Sequence, residues 1–385
     1  MMTLQLKNKK IEYITIICSV ISLVHCLYYV VRTMAVEPFC YDELNYIACA
    51  KRIIETGAFS FWGGAPDAYV SPAFPLFLAL NFLIFGSEMK GIIAIRIIQS
   101  FLISAGVYFS CKVAYKLSGS KLAEICSGLF IALNASFSYY ATLLLTEPLC
   151  FFFTMAFINL FLDVLENPDK LRLYLTGMLY AAAILTRPPI AVLIPVFLFF
   201  MYRKIKPKEI LYFGLGLVTL ILPWTIRNLI VLKKLVFFST QTNAFFWGFC
   251  KDPTALGLQD PGTIVGNLKL IASFFKEDPV GMLQYMTVEK FRAIFLNYEE
   301  ITVNLVRFAS LDYLIRIFFV GFGFVGVMFG LFTKKYRKVS VTILIFLFST
   351  FLVIPTVRYG FPFYPFLGMF TGVVLGILAE KAKEI

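Results

Sequence analysis

The chain has 385 residues, of which 59% are apolar and only 15% are Asp, Glu, Lys or Arg, and its formal net charge is +12. Soluble domains run nearer about 45–50% apolar and about 25% charged. These proportions, with a mean hydropathy of +0.81, therefore exclude a soluble enzyme, a disordered chain and a nucleic-acid-binding module.

A hydrocarbon core about 30 Å thick takes roughly 17–25 apolar residues per helix. The first such stretch, 11–34, is too long for a cleavable signal and lacks a small-residue cleavage site. It carries the single histidine, His25, which reads as a packed or hydrogen-bonded helix residue rather than a catalyst. Residues 42–56 then predict a short helix along the surface, with Asp42 as N-cap and Gly57 as terminator. Its apolar side is Ile47, Ala50, Ile53 and Ile54; Lys51, Arg52 and Glu55 keep the other side wet. The stretch 72–86 is short and opens with Pro72 and Pro75. Further crossings are expected at 91–115, 122–145, 148–165, 210–227, 309–332, 339–356 and 361–379, with a shorter hairpin at 171–186 and 189–202.

Cytoplasmic loops collect Lys and Arg. The compact basic clusters are Lys7, Lys9 and Lys10; Lys112, Lys116 and Lys121; Arg203, Lys204, Lys206 and Lys208; Lys334, Lys335, Arg337 and Lys338; and Lys381 and Lys383. All fall on one side only if 72–86 dips in and returns, or lies at the interface. The expectation is a single membrane domain over 1–385, an all-α polytopic protein with about ten transmembrane helices. Both termini are then cytoplasmic, and the outer loops are 35–90 and 228–308.

The same parity sends Asp42, Glu43, Arg96, Glu147, Arg187, Arg227 and Arg358 to the outer face. Charge at membrane depth is costly and is usually functional. Asp42 reads either as a plain helix cap or as a general base for an acceptor hydroxyl, kept ionised by the helix N-terminus. The arginines suit a phosphate, which guanidinium binds bidentately. Each alone also fits snorkelling or a pair with Glu147; four on one face, away from the basic clusters, favour an anion site. The cysteines make no framework: Cys18, Cys26, Cys111, Cys126 and Cys150 lie in apolar stretches, and only Cys40, Cys49 and Cys250 fall where the chain could be wet. With no C-x-x-C, a zinc or iron–sulfur site is not indicated, and neither a cofactor nor another divalent metal is called for. In the second outer loop, Phe245, Phe246 and Trp247 precede Tyr285, Phe291, Phe295 and Tyr298, which suggest a helix leaning on the surface, either an ordered cap or an acceptor-side lid.

Taken in order, several motifs resemble those of the bacterial GT-C glycosyltransferases. They are Asp42-Glu43-x-x-Tyr46 followed by Ala48, Ala50 and Gly57; Pro72-x-x-Pro75-Leu76; Arg96; Leu145-Thr146-Glu147-Pro148; Leu185-Thr186-Arg187-Pro188; Pro223-Trp224-Thr225-Ile226-Arg227-Asn228; and Arg358-Tyr359-x-x-Pro362. The nearest subgroup resembles the aminoarabinose transferases and protein O-mannosyltransferases. The resemblance implies a GT-C-like enzyme of the plasma (inner) membrane with its site on the extracytoplasmic side. Such an enzyme moves a sugar from a polyprenyl monophosphate donor to a hydroxyl of a lipid, glycan or protein acceptor. By position it implies Asp42 as catalytic base with Glu43 beside it, Arg96, Arg227 and Arg358 on the donor phosphate, and Tyr46, Glu147, Arg187 and Tyr359 in support. The chain departs from its relatives at Ser71-Pro72-Ala73, where a Lys or His is common before paired prolines.

The residue types agree with that chemistry. Single displacement at the anomeric carbon inverts it and needs one base plus stabilisation of a departing phosphate, so the carboxylate pair of glycosidases is unnecessary. No Gly-rich nucleotide turn is present. A transporter or flippase of lipid-linked sugars is the alternative; it predicts polar residues and broken helices at mid-membrane, with inverted repeats. A non-catalytic subunit of an envelope complex is a third reading.

Overall fold

The computed structural model describes residues 2–249, 253, 256–297 and 309–383, with side chains from residue 13 in the first helix and from residue 311 in the helix that opens at 309. Cys250 and Tyr298 lie outside the described residues. Among the described residues all regular structure is helical.

The apolar excess is on the surface as much as in the core. On α1 (Met2–Thr33), Ile16, Val20 and Val24 are exposed at steps of four. On α10 (Pro207–Leu232), Leu211, Leu215, Val218 and Leu222 form a like stripe at steps of three and four. Continuous apolar stripes of this kind face lipid, because water would not tolerate them. Among the described residues five helices are long and apolar enough to cross a membrane by length and composition: Tyr13–Thr33, Met89–Ser118, Glu147–Glu166, Pro207–Leu232 and Leu311–Phe332.

The remaining expected crossings are shorter or interrupted. The run 122–145 is not one helix but α5 (Lys121–Ala132) and α6 (Ala135–Tyr140). Asn134 separates them: its side chain accepts from the Ser136 amide at 3.0 Å, and Asp312 accepts from the Ala135 amide at 2.9 Å, so a new helix start competes with continuation of the old one. The hairpin is α8 (Lys170–Thr186) followed by a 3₁₀ turn, Pro188–Leu193, and α9 (Ile194–Tyr202). The C-terminal helices are α14 (Ala309–Phe332), α15 (Arg337–Phe351) and α16 (Tyr364–Lys381). The last two are separated by a 3₁₀ turn at Val357–Gly360.

Polar contacts sort the helix termini into two ends of the bundle. At one end the terminus of α1 meets the first turns of α4 (Met89–Ser118), with Arg96 donating to the Thr33 carbonyl at 2.9 Å. The start of α7 (Glu147–Glu166) meets the end of α8 through Glu147 and Arg187 at the same end. At the other end Thr15 bonds Glu124 at 2.7 Å, Lys116 pairs with Asp163 at 2.7 Å, and Lys335 donates to the Ser118 carbonyl at 2.6 Å. The basic clusters around residues 116 and 335 thus share one end. Close approach along the bundle depends on glycine: a Cβ on Gly177 of α8 would lie 2.1 Å from the Phe213 carbonyl of α10, and one on Gly216 would lie 2.0 Å from the Tyr174 carbonyl. Such small-residue contacts let backbones touch where lipid supplies no hydrophobic drive.

The first loop carries α2 (Tyr41–Thr56) and α3 (Ala73–Phe85). Three expectations for α2 are corrected. Cys40, not Asp42, occupies the cap position, and Asp42 falls in the first turn. Arg52 is tied down by the Ser60 and Phe61 carbonyls at 2.9 and 2.8 Å, while Ile54 is exposed. Cys49 is fully buried rather than wet. Gly57 ends the helix as expected, at φ 70°.

The second loop folds into a small helical cap. It comprises α11 (Asn243–Phe246), α12 (Ile264–Glu277) and α13 (Pro279–Gln284), the last running on into wide, π-helical turns at Tyr285–Glu289 and Arg292–Leu296. Phe246, Phe249, Ile271, Met282 and Met286 form its core. Lys290, fully buried, donates to the carbonyls of Phe351 and Val353 and so fastens the cap to the C-terminal end of α15.

Candidate functional site

Four stretches remote in sequence converge at the Arg187 end of the bundle. The first turn of α2 supplies Asp42; Glu147 is the first residue of α7 with Pro148 behind it, where the missing proline N–H costs nothing. Arg187 is held extended at the end of α8, before Pro188. Arg358 comes from the short turn ahead of α16.

Their side chains form one chain of ion pairs. Arg358 Nη1 bonds Asp42 Oδ2 at 2.8 Å, and its Nε lies 3.9 Å from Glu147 Oε1. Arg187 Nη1 bonds the same Glu147 oxygen at 2.6 Å, and its guanidinium lies 4.8 Å from the centre of the Tyr359 ring. The pairs differ in exposure: the Glu147 side chain is 1% exposed, whereas Asp42 is 38% exposed and Arg358 27%. The outer pair is therefore open to solutes and the inner one holds the frame. Tyr46 packs edge-on against Phe61 and Phe74, with ring centroids 5.2 and 5.1 Å away. Burial, with Asp42 and Glu147 nearby, pushes its hydroxyl pKa up, so it stays protonated as a donor.

The other three named residues are not part of this chain. Glu43 is fully buried, and its carboxylate accepts from the amides of Leu144 at 2.9 Å and Phe39 at 3.3 Å. Burial raises its pKa, opposed by those amides and by Arg96. Arg96 is 1% exposed and reaches the end of α1. Arg227 donates to the carbonyls of Asp67 at 2.7 Å and Phe59 at 2.9 Å, and lies over the Phe59 and Trp224 rings. Geometry thus ties Arg96 and Arg227 to backbone carbonyls and leaves Arg358 and Arg187 together.

Sequence reading passed over Asp67, which accepts from the amides of Phe61 and Tyr69 at 2.7 and 3.0 Å and so, with Arg52 and Arg227, knots residues 58–70 into a rigid loop. It also passed over the aromatic cluster that this loop carries: Phe61 stacks on Tyr69, and Trp62 stands edge-on to Phe61 and tilted against Tyr69 and against Tyr41 beside Asp42. Trp62 and Tyr41 are both exposed. The only signal was the clustering of aromatics at 59–69 around Gly63 and Gly64.

Beneath the ion pairs lies a narrow void of about 10 Å³ bordered by Glu147, Arg187, Arg358, Thr154 and Pro362. Thr154 and Pro362 also border a longer apolar groove of about 250 Å³. Its walls are Ile158 and Phe161 of α7, Phe197 of α9 and Phe346 of α15, and at its far end stand Lys204, Lys335 and Lys338. Chemically, the two carboxylates and two guanidiniums cancel in formal charge. Each guanidinium has five N–H donors, and most are not engaged by the carboxylates, so an incoming anion can be held without dismantling the frame.

Residues 69–226 match the family model of the dolichyl-phosphate-mannose-protein mannosyltransferases. The match includes Arg96, Glu147 and Arg187 and stops short of Asp42 and Arg358. Among solved structures, ArnT from Cupriavidus metallidurans bound to undecaprenyl phosphate is similar at a TM-score of 0.53 and 15% identity, over 94% of this chain and 59% of that one. The oligosaccharyltransferase of Archaeoglobus fulgidus, in complex with Zn and sulfate, is similar at 0.55 and 13% identity, over 96% of this chain and 49% of that one. This chain thus spans somewhat over half the length of the first and about half of the second. No curated protein matches. At these identities the likeness establishes the fold: the chain has the all-helical architecture of these proteins and resembles the GT-C membrane glycosyltransferases.

Proposed function

We propose that the chain is a polyprenyl-phosphate-sugar-dependent glycosyltransferase of the plasma membrane, with its site on the extracytoplasmic side, acting on a hydroxyl of an envelope lipid, glycan or protein and inverting the anomeric carbon. The observation that carries this is the Asp42–Arg358–Glu147–Arg187 network standing above an apolar groove. A polyprenyl monophosphate has matching parts: an anionic head for the arginines and a long hydrocarbon tail for the groove. That the similar ArnT holds undecaprenyl phosphate supports the same donor class here.

In this reading the acceptor hydroxyl gives its proton to Asp42, whose Oδ1 takes no hydrogen bond from the described residues, while Arg358 holds the carboxylate in place through Oδ2. The oxygen attacks the anomeric carbon, and the bond to phosphate breaks with its electron pair moving onto a group already faced by Arg358 and Arg187. Arg187 thus takes the role that sequence position suggested for Arg96 and Arg227, which position the ends of α1 and α4 and the 58–70 loop. Glu43 is a staple between residues 39 and 144, and Tyr46 and Tyr359 buttress the two ends of the network.

The test uses purified protein in lipid nanodiscs. Native mass spectrometry with undecaprenyl phosphate is expected to show a bound lipid that is lost in Arg187→Ala with Arg358→Ala. Transfer from a polyprenyl-phosphate sugar is expected to fall at least a hundredfold in Asp42→Asn, the scale of losing a general base. Wild-type transfer by Asp42→Asn removes Asp42 from the mechanism.

A further inference from the structure

A second cavity lies in the cap, apart from the lipid groove. It encloses about 600 Å³ between Trp247, the segment Ile354–Thr356, and the helix that carries Gln284, Tyr285, Glu289 and Arg292. The wall positions on that helix are 284, 285, 288, 289, 292 and 293, a strict step of four. In an α-helix residues four apart drift by about 40° per step, which would carry Arg292 about 80° away from Gln284. The two π-helical stretches, Tyr285–Glu289 and Arg292–Leu296, widen the turns and reverse that drift. The distortion keeps all six residues on one wall, and π-turns occur frequently at functional sites.

The lining sorts the possible ligands. Trp247 and Tyr285 supply aromatic rings to the wall, while Gln284, Glu289, Arg292 and Asn297 supply planar donors and acceptors of both signs. A hydrocarbon chain would lie against charged and amide side chains, and a bare anion would meet Glu289. A pyranose satisfies both sets, with C–H faces that lie on aromatic rings and hydroxyls that donate and accept at once.

The cavity also leads towards Asp42 along two segments. Thr356, on its wall, precedes Arg358 by two residues. Asn243, at the head of the turn that ends in Trp247, donates to the Tyr69 hydroxyl at 2.6 Å, and Tyr69 is close enough to Asp42 to feel its charge. Thr356 Oγ1 and Asn243 Oδ1 are both buried without a hydrogen-bond partner among the described residues. Buried polar atoms left unpaired are uncommon, and these two stand one on each segment.

We propose that this cavity is a carbohydrate site on the acceptor side, in which a sugar unit of the acceptor stacks on Trp247 and Tyr285 and is oriented by Glu289 and Arg292, so that its free hydroxyl extends past Thr356 to Asp42. The role as acceptor rests on the transferase reading; the binding of sugar does not. The acceptor O–H loses its proton to the Asp42 carboxylate, the new O–C1 bond forms, and the C1–O bond to the donor phosphate breaks with its electrons leaving on phosphate.

Binding is measured in nanodiscs without donor, by saturation-transfer NMR. The probes are methyl glycosides and linear di- and trisaccharides of glucose, mannose and N-acetylglucosamine. At least one series binds, and binding weakens roughly tenfold or more in Trp247→Ala and in Arg292→Ala but not in Trp247→Phe or the exposed control Lys276→Ala. Absence of binding by every sugar, binding indifferent to Trp247 and Arg292, or Ser/Thr peptides binding at these residues in place of sugars overturns the proposal. Because no donor or turnover is involved, such a failure is separate from failure of the Asp42 and lipid tests.

Discussion

Asp42, Glu147, Arg187 and Arg358 show how unequal two ion pairs in one site can be. The Asp42–Arg358 bond is partly exposed, and pairs of that kind contribute about 0–1 kcal/mol, so its value is in orienting Asp42. Glu147 is buried, and removing its close partner leaves a carboxylate whose nearest remaining charge is Arg358 at 3.9 Å. Arg187→Met is therefore expected to destabilise the protein by about 3 kcal/mol. The double variant with Glu147→Gln should recover part of that loss, as thermal unfolding in detergent would register. Lys290 gives a pH-dependent test. Burial pushes its pKa down from 10.5 to about 7. Between those values the unfolded chain binds more protons than the folded one, so stability rises as pH is raised through that window. The neutral amine still has two N–H groups for the carbonyls of Phe351 and Val353. Lys290→Met is expected to lower the melting temperature throughout and to flatten its rise between pH 7 and about 10. A slope unchanged by the substitution assigns the dependence to other groups. The sequence made the residue types legible, since Asp42, Glu147, Arg187 and Arg358 stood out as charges at helix ends. It could not separate arginines that face a cavity from those that hold backbone carbonyls. Arg96 and Arg227 satisfy the same pattern, and their partners Thr33, Asp67 and Phe59 are fixed only by tertiary packing.

At the scale of helices, hydropathy located the apolar segments because lipid selects length and composition directly. It missed the break at Asn134, since a window average dilutes one polar residue among many apolar ones, and it missed the closing contact from Asp312, 178 positions beyond Asn134. The glycine contacts were equally silent: Gly177 and Gly216 matter only because α8 and α10 happen to cross there. They supply a paired test. Gly216→Val drives a side chain into the Tyr174 carbonyl and is expected to cost about 2–3 kcal/mol by forcing the helices apart. Gly214→Val, one half-turn away with nothing within 4 Å, is expected to be nearly neutral. Equal melting temperatures for the two variants contradict the close packing of α8 on α10.

Across the whole molecule the net charge of +12 resolves into a polarity. Lys204, Lys335 and Lys338 gather at one end of the apolar groove, and Arg187 and Arg358 border the void at its other end. If positive loops stay on the cytoplasmic side, the groove is oriented with its lysine end inward, and the Asp42 network faces out. A lipid-linked donor then approaches within the membrane plane, while an acceptor sugar in the cap arrives from the aqueous side, and the two meet at Asp42 without crossing paths. Single cysteines decide between this orientation and its reverse, with Cys40, half-buried near the site, and Cys250 both changed to serine so that neither native thiol is labelled. A cysteine at the exposed Lys276 of the cap is expected to react with a membrane-impermeant maleimide in intact cells. One at Lys206, exposed at the lysine end, should react only after permeabilisation. The opposite pattern would place the site on the cytoplasmic side, and with it both the donor and the carbohydrate bound in the cap.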